Sequence, residues 1–184
     1  MNSNEIAGDS AHPAALEGAD HARGNPHGRV TLVEYGDYEC PRCSQAYPAT
    51  RILLDAFGDR LRFVYRHYPD AEAHPHAELA AEAAEAAAAQ GNFWEMHAQL
   101  FSRSQHLSEA AIYHAAEAIG LDMTRFRADL ADHIYIQRVR EHHAAGARLG
   151  LRGTPCFFLN DVAVDVSYKL ENLEHAVRAA LGEG

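Results

Sequence analysis

Cysteine is scarce in this chain of 184 residues: there are three, beside thirteen histidines and twenty-six acidic side chains. Three cysteines cannot staple a fold together, so a disulfide framework is excluded. Basic blocks are missing as well. The formal net charge of −10 argues against nucleic acid or an anionic membrane as the main partner. Long apolar runs are also absent. The least polar stretch, residues 77–89, carries Glu78, Glu82 and Glu85 and is too short to span a bilayer. The first 28 residues show neither the apolar core nor the cleavage pattern of a secretory signal, which makes the cytoplasm the expected address. In that compartment a surviving disulfide is more often catalytic or redox-sensing than structural.

What the chain does have is a hydrophobic fraction of 47% and length enough for one domain, with or without an insertion. Such a domain buries roughly 70% of its extended surface and needs no staple. Two of the three cysteines stand together as Cys40-Pro41-Arg42-Cys43, between a strand-like run over residues 30–35 and a helix-like stretch over 44–57. A thiol at a helix N-terminus feels unpaired backbone N–H groups and the positive end of the helix dipole. Both favour the thiolate, the form that attacks disulfides. A second thiol one turn on can displace whatever the first has bound. This is the pattern of thiol–disulfide exchange.

Periodicity organises the rest. Residues 1–27 lack it and are expected to be a flexible tail. In the first helix Ala46, Thr50, Leu53 and Phe57 form one stripe. Residues 61–66 alternate like a second strand, and together these segments predict a βαβ unit with parallel strands. From His74 to about Gly150 only helical patterns occur: one opened by Pro75, an aromatic one over 93–101, one capped by Ser108, one by Asp122, and a long one over 133–149. Strand character returns at residues 156–159. A turn at Asn160-Asp161 and a strand over 162–166 follow, then a closing helix marked by Leu170, Leu173, Val177 and Leu181. The expected division is a tail at 1–27, a core of 28–73 and 151–184, and a helical insertion at 74–150.

That order, with the CxxC pair opening the first helix and Thr154-Pro155 before the third core strand, resembles the DsbA-like branch of the thioredoxin superfamily. The resemblance runs from Asn25 to Leu181, anchored by residues 33–43, the segment 153–158, and the aromatic stretch Phe93-Trp94-Glu95-Met96-His97. It implies an α/β thioredoxin-like fold with an all-helical insertion between the second and third core strands. It also implies that Cys40 is an exposed nucleophile and Cys43 a shielded resolving thiol. Pro155 would be cis, with the Thr154 backbone presented to a substrate strand. The branch carries an acidic residue at the position of Glu34, beneath the site. A buried carboxyl there has a raised pKa and can relay a proton to or from Cys43.

Pro41 suits a first helical turn, where its missing N–H costs nothing. Two readings of Arg42 stand: a guanidinium that stabilises the Cys40 thiolate, or a solvated side chain. Asp37 and Glu39 push against the thiolate. Cys156 follows Pro155 where the branch usually has no cysteine. It reads as a small buried strand residue, with a third redox partner or a glutathionylation site as the sharper reading. Histidines at 74, 76, 142 and 143 raise the question of zinc, but no second ligand pair stands at zinc-module spacing, so no metal is expected. Phe93, Trp94, Met96 and Phe101 read as core more than as a substrate groove.

The expected function is a protein thiol–disulfide oxidoreductase without a dissociable cofactor. Its partners are protein or peptide thiols and disulfides, and its recycling partner is another thiol system or glutathione. Two alternatives remain open at this point: a redox-switched binding or sensing module, and a glutathione-dependent isomerase or transferase on the same fold.

Overall fold

The structure is a computed structural model that describes residues 20–166 and 171–183. Five strands form one mixed sheet in the order β1-β3-β2-β4-β5. The central strand β2 is Val30–Gly36, and β3, Leu61–His67, runs parallel to it through the crossover helix α1, Pro41–Phe57. The hairpin β4, Cys156–Leu159, and β5, Val162–Val164, adds antiparallel to the other side of β2. Its turn residues Asn160 and Asp161 both have positive φ, as expected for a two-residue hairpin. The outer strand β1 is His21–Gly24, antiparallel to β3.

That outer strand corrects the expectation of a tail through residue 27. His21–Gly24 is polar and mostly exposed, so no hydrophobic alternation marks it. Backbone pairing with β3 holds it, together with a buried ion pair in which Asp20 takes two hydrogen bonds from Arg66, at 3.1 and 2.7 Å. Residues 1–19 lie outside the described residues, as does Leu170.

β2 and β3 are buried on both faces, which is why their sequences read as nearly continuous apolar runs. One face carries Val30, Leu32, Phe63, Tyr65 and Phe157 and packs under α1, whose stripe Ala46, Thr50, Leu53 and Phe57 is fully buried. The other face carries Val33, Tyr35, Val64 and Phe158. Between β3 and β4 come five α-helices, α2 (Ala77–Ala88), α3 (Phe93–Ser102), α4 (Glu109–Ala118), α5 (Met123–Ala131) and α6 (Ile136–Arg148), with a 3-10 turn at Ser104–His106. This is the helical insertion. Ser108 and Asp122 cap α4 and α5 through their side-chain oxygens, as expected. Two starts differ. Pro75 precedes α2 by two residues, and α6 opens at Ile136 because His133 has left-handed backbone, φ 50°. Phe93, Met96 and Phe101 are core, with Trp94 packed against it. The closing helix α7, Glu171–Leu181, buries Leu173, Val177 and Leu181.

Candidate active site

The parallel crossover from β2 into α1 puts the N-terminus of α1 at the C-terminal edge of the sheet. Cys40 is the residue that caps this helix, and Pro41 occupies its first turn. The Cys40 sulfur is held between the helix and the loop before β4, its thiol 3.4 Å from the Thr154 carbonyl oxygen. Thr154-Pro155 is a cis peptide bond, as the resemblance implied. Cys40 is not freely exposed, contrary to expectation: only 6% of it meets solvent, because it is recessed in a groove. The groove has a volume of about 700 Å³ and is lined by Tyr68, Asp70, His74, Arg140 and Thr154 among others. Cys43 is fully buried one turn behind it.

The two thiols are electrostatically opposite. The pKa of Cys40 falls from 9.0 to about 5, first through a hydrogen bond from the Cys43 side chain. Burial opposes the fall, while the Thr154 side chain and the backbone N–H groups of Cys43 and Arg42 add to it. Cys43 is pushed well above its ordinary value, first by burial and then by its bond to Cys40 and the charge of Glu34. So the helix terminus acts on Cys40 as the sequence implied. Arg42 contributes through its main chain, whereas its guanidinium acts on Cys156, where it offsets part of the rise that burial gives that thiol's pKa.

Asp37 and Glu39, expected to push against the thiolate, are not among the main influences on the Cys40 thiol, and both carboxylates are hydrogen-bonded to other groups. Asp37 accepts from the Glu39 amide at 2.8 Å, the Asp70 amide at 3.0 Å and His74 Nδ1 at 2.7 Å. Glu39 accepts from the His76 amide at 2.7 Å and bonds its Nδ1 at 3.1 Å. These contacts tie the loop before α1 to the segment before α2. The Asp37 amide in turn donates to the Cys43 sulfur at 3.4 Å. Asp37 and His74 were thus missed as organisers, since nothing local joins residues 37 positions apart.

Glu34 lies at the middle of β2, 1% exposed, between Tyr65 on β3 and Phe157 on β4. Burial, then the nearby Cys40 charge, lifts its pKa from 4.5 to about 8. Cys156 pairs with Tyr35, the residue after Glu34, and so projects to the other face of the sheet from Cys43. It is half-buried rather than buried, its thiol 3.1 Å from the Gly153 carbonyl. Its side chain faces away from Cys43, while Arg42 lines the same cavity as Cys156.

His74 and His76 bond carboxylates, and His143 stacks flat on Tyr68 with ring centres 4.3 Å apart. Among the described residues the group that could hold a metal is His67, Glu85 and His142, whose ligand atoms lie within 4.8 Å of one another. Those atoms already bond protein groups. Glu85 accepts from His21 and His67, both at 2.9 Å, and His142 Nδ1 accepts from the His67 amide at 3.3 Å. With Nδ1 accepting, the His142 proton sits on Nε2, facing Asp20 at 3.6 Å.

The family model for thioredoxin matches residues 16–179. The chain belongs to the thioredoxin family. A thioredoxin-like oxidoreductase from Silicibacter pomeroyi DSS-3 superposes with a TM-score of 0.77 at 30% identity, covering 91% of this chain and 95% of that one. BdbD from Bacillus subtilis superposes with a TM-score of 0.77 at 18% identity, covering 94% of each, a likeness of fold. In sequence, this thioredoxin-family chain is 46% identical over 161 residues to the Na(+)/H(+) antiporter NhaA 1 of Salinispora arenicola, covering 88% of this chain and 24% of the antiporter. An antiporter NhaA of Herminiimonas arsenicoxydans is 38% identical over 161 residues, 88% of this chain and 25% of that one. The chain thus spans about a quarter of the length of these curated relatives. Among the described residues no helix is long and apolar enough to cross a membrane. The fold is that of the thioredoxin family, and it carries the Cys40–Cys43 pair at the start of its first helix.

Proposed function

We propose that this protein exchanges disulfides with protein or peptide substrates in the groove beside Cys40. The Cys40 thiolate attacks a substrate disulfide, forming a mixed disulfide and expelling one substrate thiolate. Cys43, deprotonated as Glu34 takes its proton, then attacks the Cys40 sulfur. The Cys40–Cys43 bond forms and the second substrate thiolate leaves, so the substrate is reduced and the protein oxidised. Run backwards, a substrate dithiol is oxidised. Thr154 and Pro155 present the backbone edge along which the substrate lies.

The observation that carries this reading is a thiol held near a pKa of 5, recessed in an open groove, with a buried high-pKa thiol one turn behind it. It also supports a direction. A stabilised thiolate favours the reduced protein and makes its disulfide an oxidant. A value of about 5 falls between about 7 for thioredoxin and about 3.5 for DsbA. We therefore propose a couple poised between those two, which act as reductant and oxidant. Refolding of a reduced, scrambled test protein, and reduction of insulin, measure both directions. Wild type is expected to be active and Cys40→Ala inactive. Equal activity of the two would remove the enzyme reading and favour a redox-switched binding module.

A further inference from the structure

Glu34 and Tyr65 are direct neighbours in the parallel register of β2 and β3 and point to the same face, the one under α1. Each is buried, and each carries a polar atom with no hydrogen-bond partner among the described residues: Glu34 Oε1 and the Tyr65 hydroxyl. Leaving such a group unpaired costs stability, so two of them side by side mark a place where stability has been yielded to something else.

The lean of the tyrosine shows what. Its ring lies over Gly36, two residues beyond Glu34 on the same face, with the hydroxyl 2.7 Å from where a Cβ would stand. Glycine leaves the room that the phenol fills. The next residue, Asp37, donates its amide to the Cys43 sulfur. The hydroxyl is therefore carried from the level of Glu34 toward the strand end beneath Cys43.

We propose that the Tyr65 hydroxyl is the relay between the Cys43 thiol and the Glu34 carboxylate, passing the proton that closure of the Cys40–Cys43 disulfide must move. The proposal rests on the reading of Glu34 as proton acceptor given above. The phenol oxygen takes the proton of Cys43 as its own O–H proton goes to the Glu34 carboxylate, directly or through one bridging water. Tyr65 is neutral before and after, Cys43 is left as thiolate and Glu34 as acid. A relay must not hold the charge itself, and burial, then the charges of Tyr38, Cys43 and Glu34, keep Tyr65 far from ionising. The other titratable groups facing this pair are Cys40 at the cap of α1, Cys43 of α1, Asp37 and Tyr38 of the loop, His67 of β3 and His97 of α3. His97 is kept neutral chiefly by burial, and its Nδ1 is bonded to the Tyr38 hydroxyl at 2.9 Å.

Rapid-quench mass spectrometry of the reduced protein mixed with oxidised glutathione separates two steps, capture of glutathione on Cys40 and closure to Cys40–Cys43. Wild type is expected to close faster as pH rises toward about 8, and Glu34→Gln to lose that rise. Tyr65→Phe is expected to capture at the wild-type rate and to close about tenfold more slowly near pH 7, a modest share of ordinary acid–base catalysis. Loss of an unpaired hydroxyl is not expected to lower the melting temperature. 3-Fluorotyrosine at position 65 keeps the packing and the hydroxyl with a more acidic proton. It is expected to close at or above the wild-type rate, with the rise moved to lower pH. Tyr65→Phe closing at the wild-type rate, with Glu34→Gln impaired, overturns the relay and leaves Glu34 standing. Glu34→Gln closing like wild type removes the proton role of Glu34, and the relay with it. If Tyr65→Phe fails to fold, a fluorotyrosine profile superimposed on wild type overturns the relay.

Discussion

The sulfur of Cys40 touches the carbonyl of Thr154, at 3.4 Å across a separation of 114 positions. That contact joins the helix that makes the thiolate to the loop that faces it. The Thr154 side chain also bonds the Cys40 sulfur and is one of the groups lowering its pKa. Thr154→Val keeps the carbonyl and removes the hydroxyl. Losing one hydrogen bond to the charged form should make Cys40 a roughly tenfold weaker acid. Thiolate absorbance during a pH titration measures it, and an unmoved titration would show that the hydroxyl is not a thiolate ligand.

The redox states should differ in stability, and the difference should depend on pH. Cys40 titrates near 5 in the folded reduced protein against an ordinary 9.0. A depressed acid stabilises the folded state fully above its unfolded pKa, and that contribution is lost as pH falls through the folded value. Near pH 7 it amounts to roughly 3 kcal/mol, since each tenfold gain in acid strength is worth about 1.4 kcal/mol. The oxidised protein has no thiol to titrate there. Denaturant melts should therefore show the stability of the reduced form gaining on that of the oxidised form by about this much between about pH 5 and 7. A constant difference would mean that the helix terminus does not hold a thiolate.

Glu34 behaves in the opposite sense. Its pKa is raised from 4.5 to about 8, so the folded state prefers the protonated acid. This contribution is fully present below about 4.5 and lost as pH rises through about 8. Near pH 7 the penalty is roughly 3 kcal/mol. Glu34→Gln should stabilise the protein by about that amount near pH 7 and by almost nothing near pH 4, while slowing disulfide closure. Equal effects at the two pH values would place the carboxyl outside the buried core.

Asp20 and Arg66 form an ion pair whose side chains are 3% and 6% exposed, which makes it a buried pair rather than a surface one. Removing one partner leaves the other charge buried, and such breaks cost about 3–5 kcal/mol. Asp20→Ala should lose stability in that range and expose the amides of β1 to hydrogen exchange. A change below about 1 kcal/mol would show that β1 is held by backbone pairing alone.

Several features were legible because they are local. The stripe of Ala46, Thr50, Leu53 and Phe57 states a helix and the face it buries, and the apolar runs of β2 and β3 state a buried parallel pair. Ser108 and Asp122 announce their helices by capping chemistry. Strand β1 was not legible, since a polar four-residue edge strand carries no alternation and owes its place to its partners. Glu82 and Glu85 sit on α2 as an ordinary acidic face in sequence. In the fold they are buried, Glu82 against His133 and Glu85 against His21 and His67. Their partners come from three other segments.

By itself, the order of residues determined that a thiol caps a helix directly after a central strand, because the capping position and the helix dipole depend only on near neighbours in the chain. Tertiary structure alone decided which groups that chemistry would meet. Strand register set Tyr65 beside Glu34 and turned Cys156 to the far side of the sheet, and a returning loop brought Thr154 to Cys40. Such contacts are fixed by pairing and packing between distant segments, and no short-range pattern encodes a register.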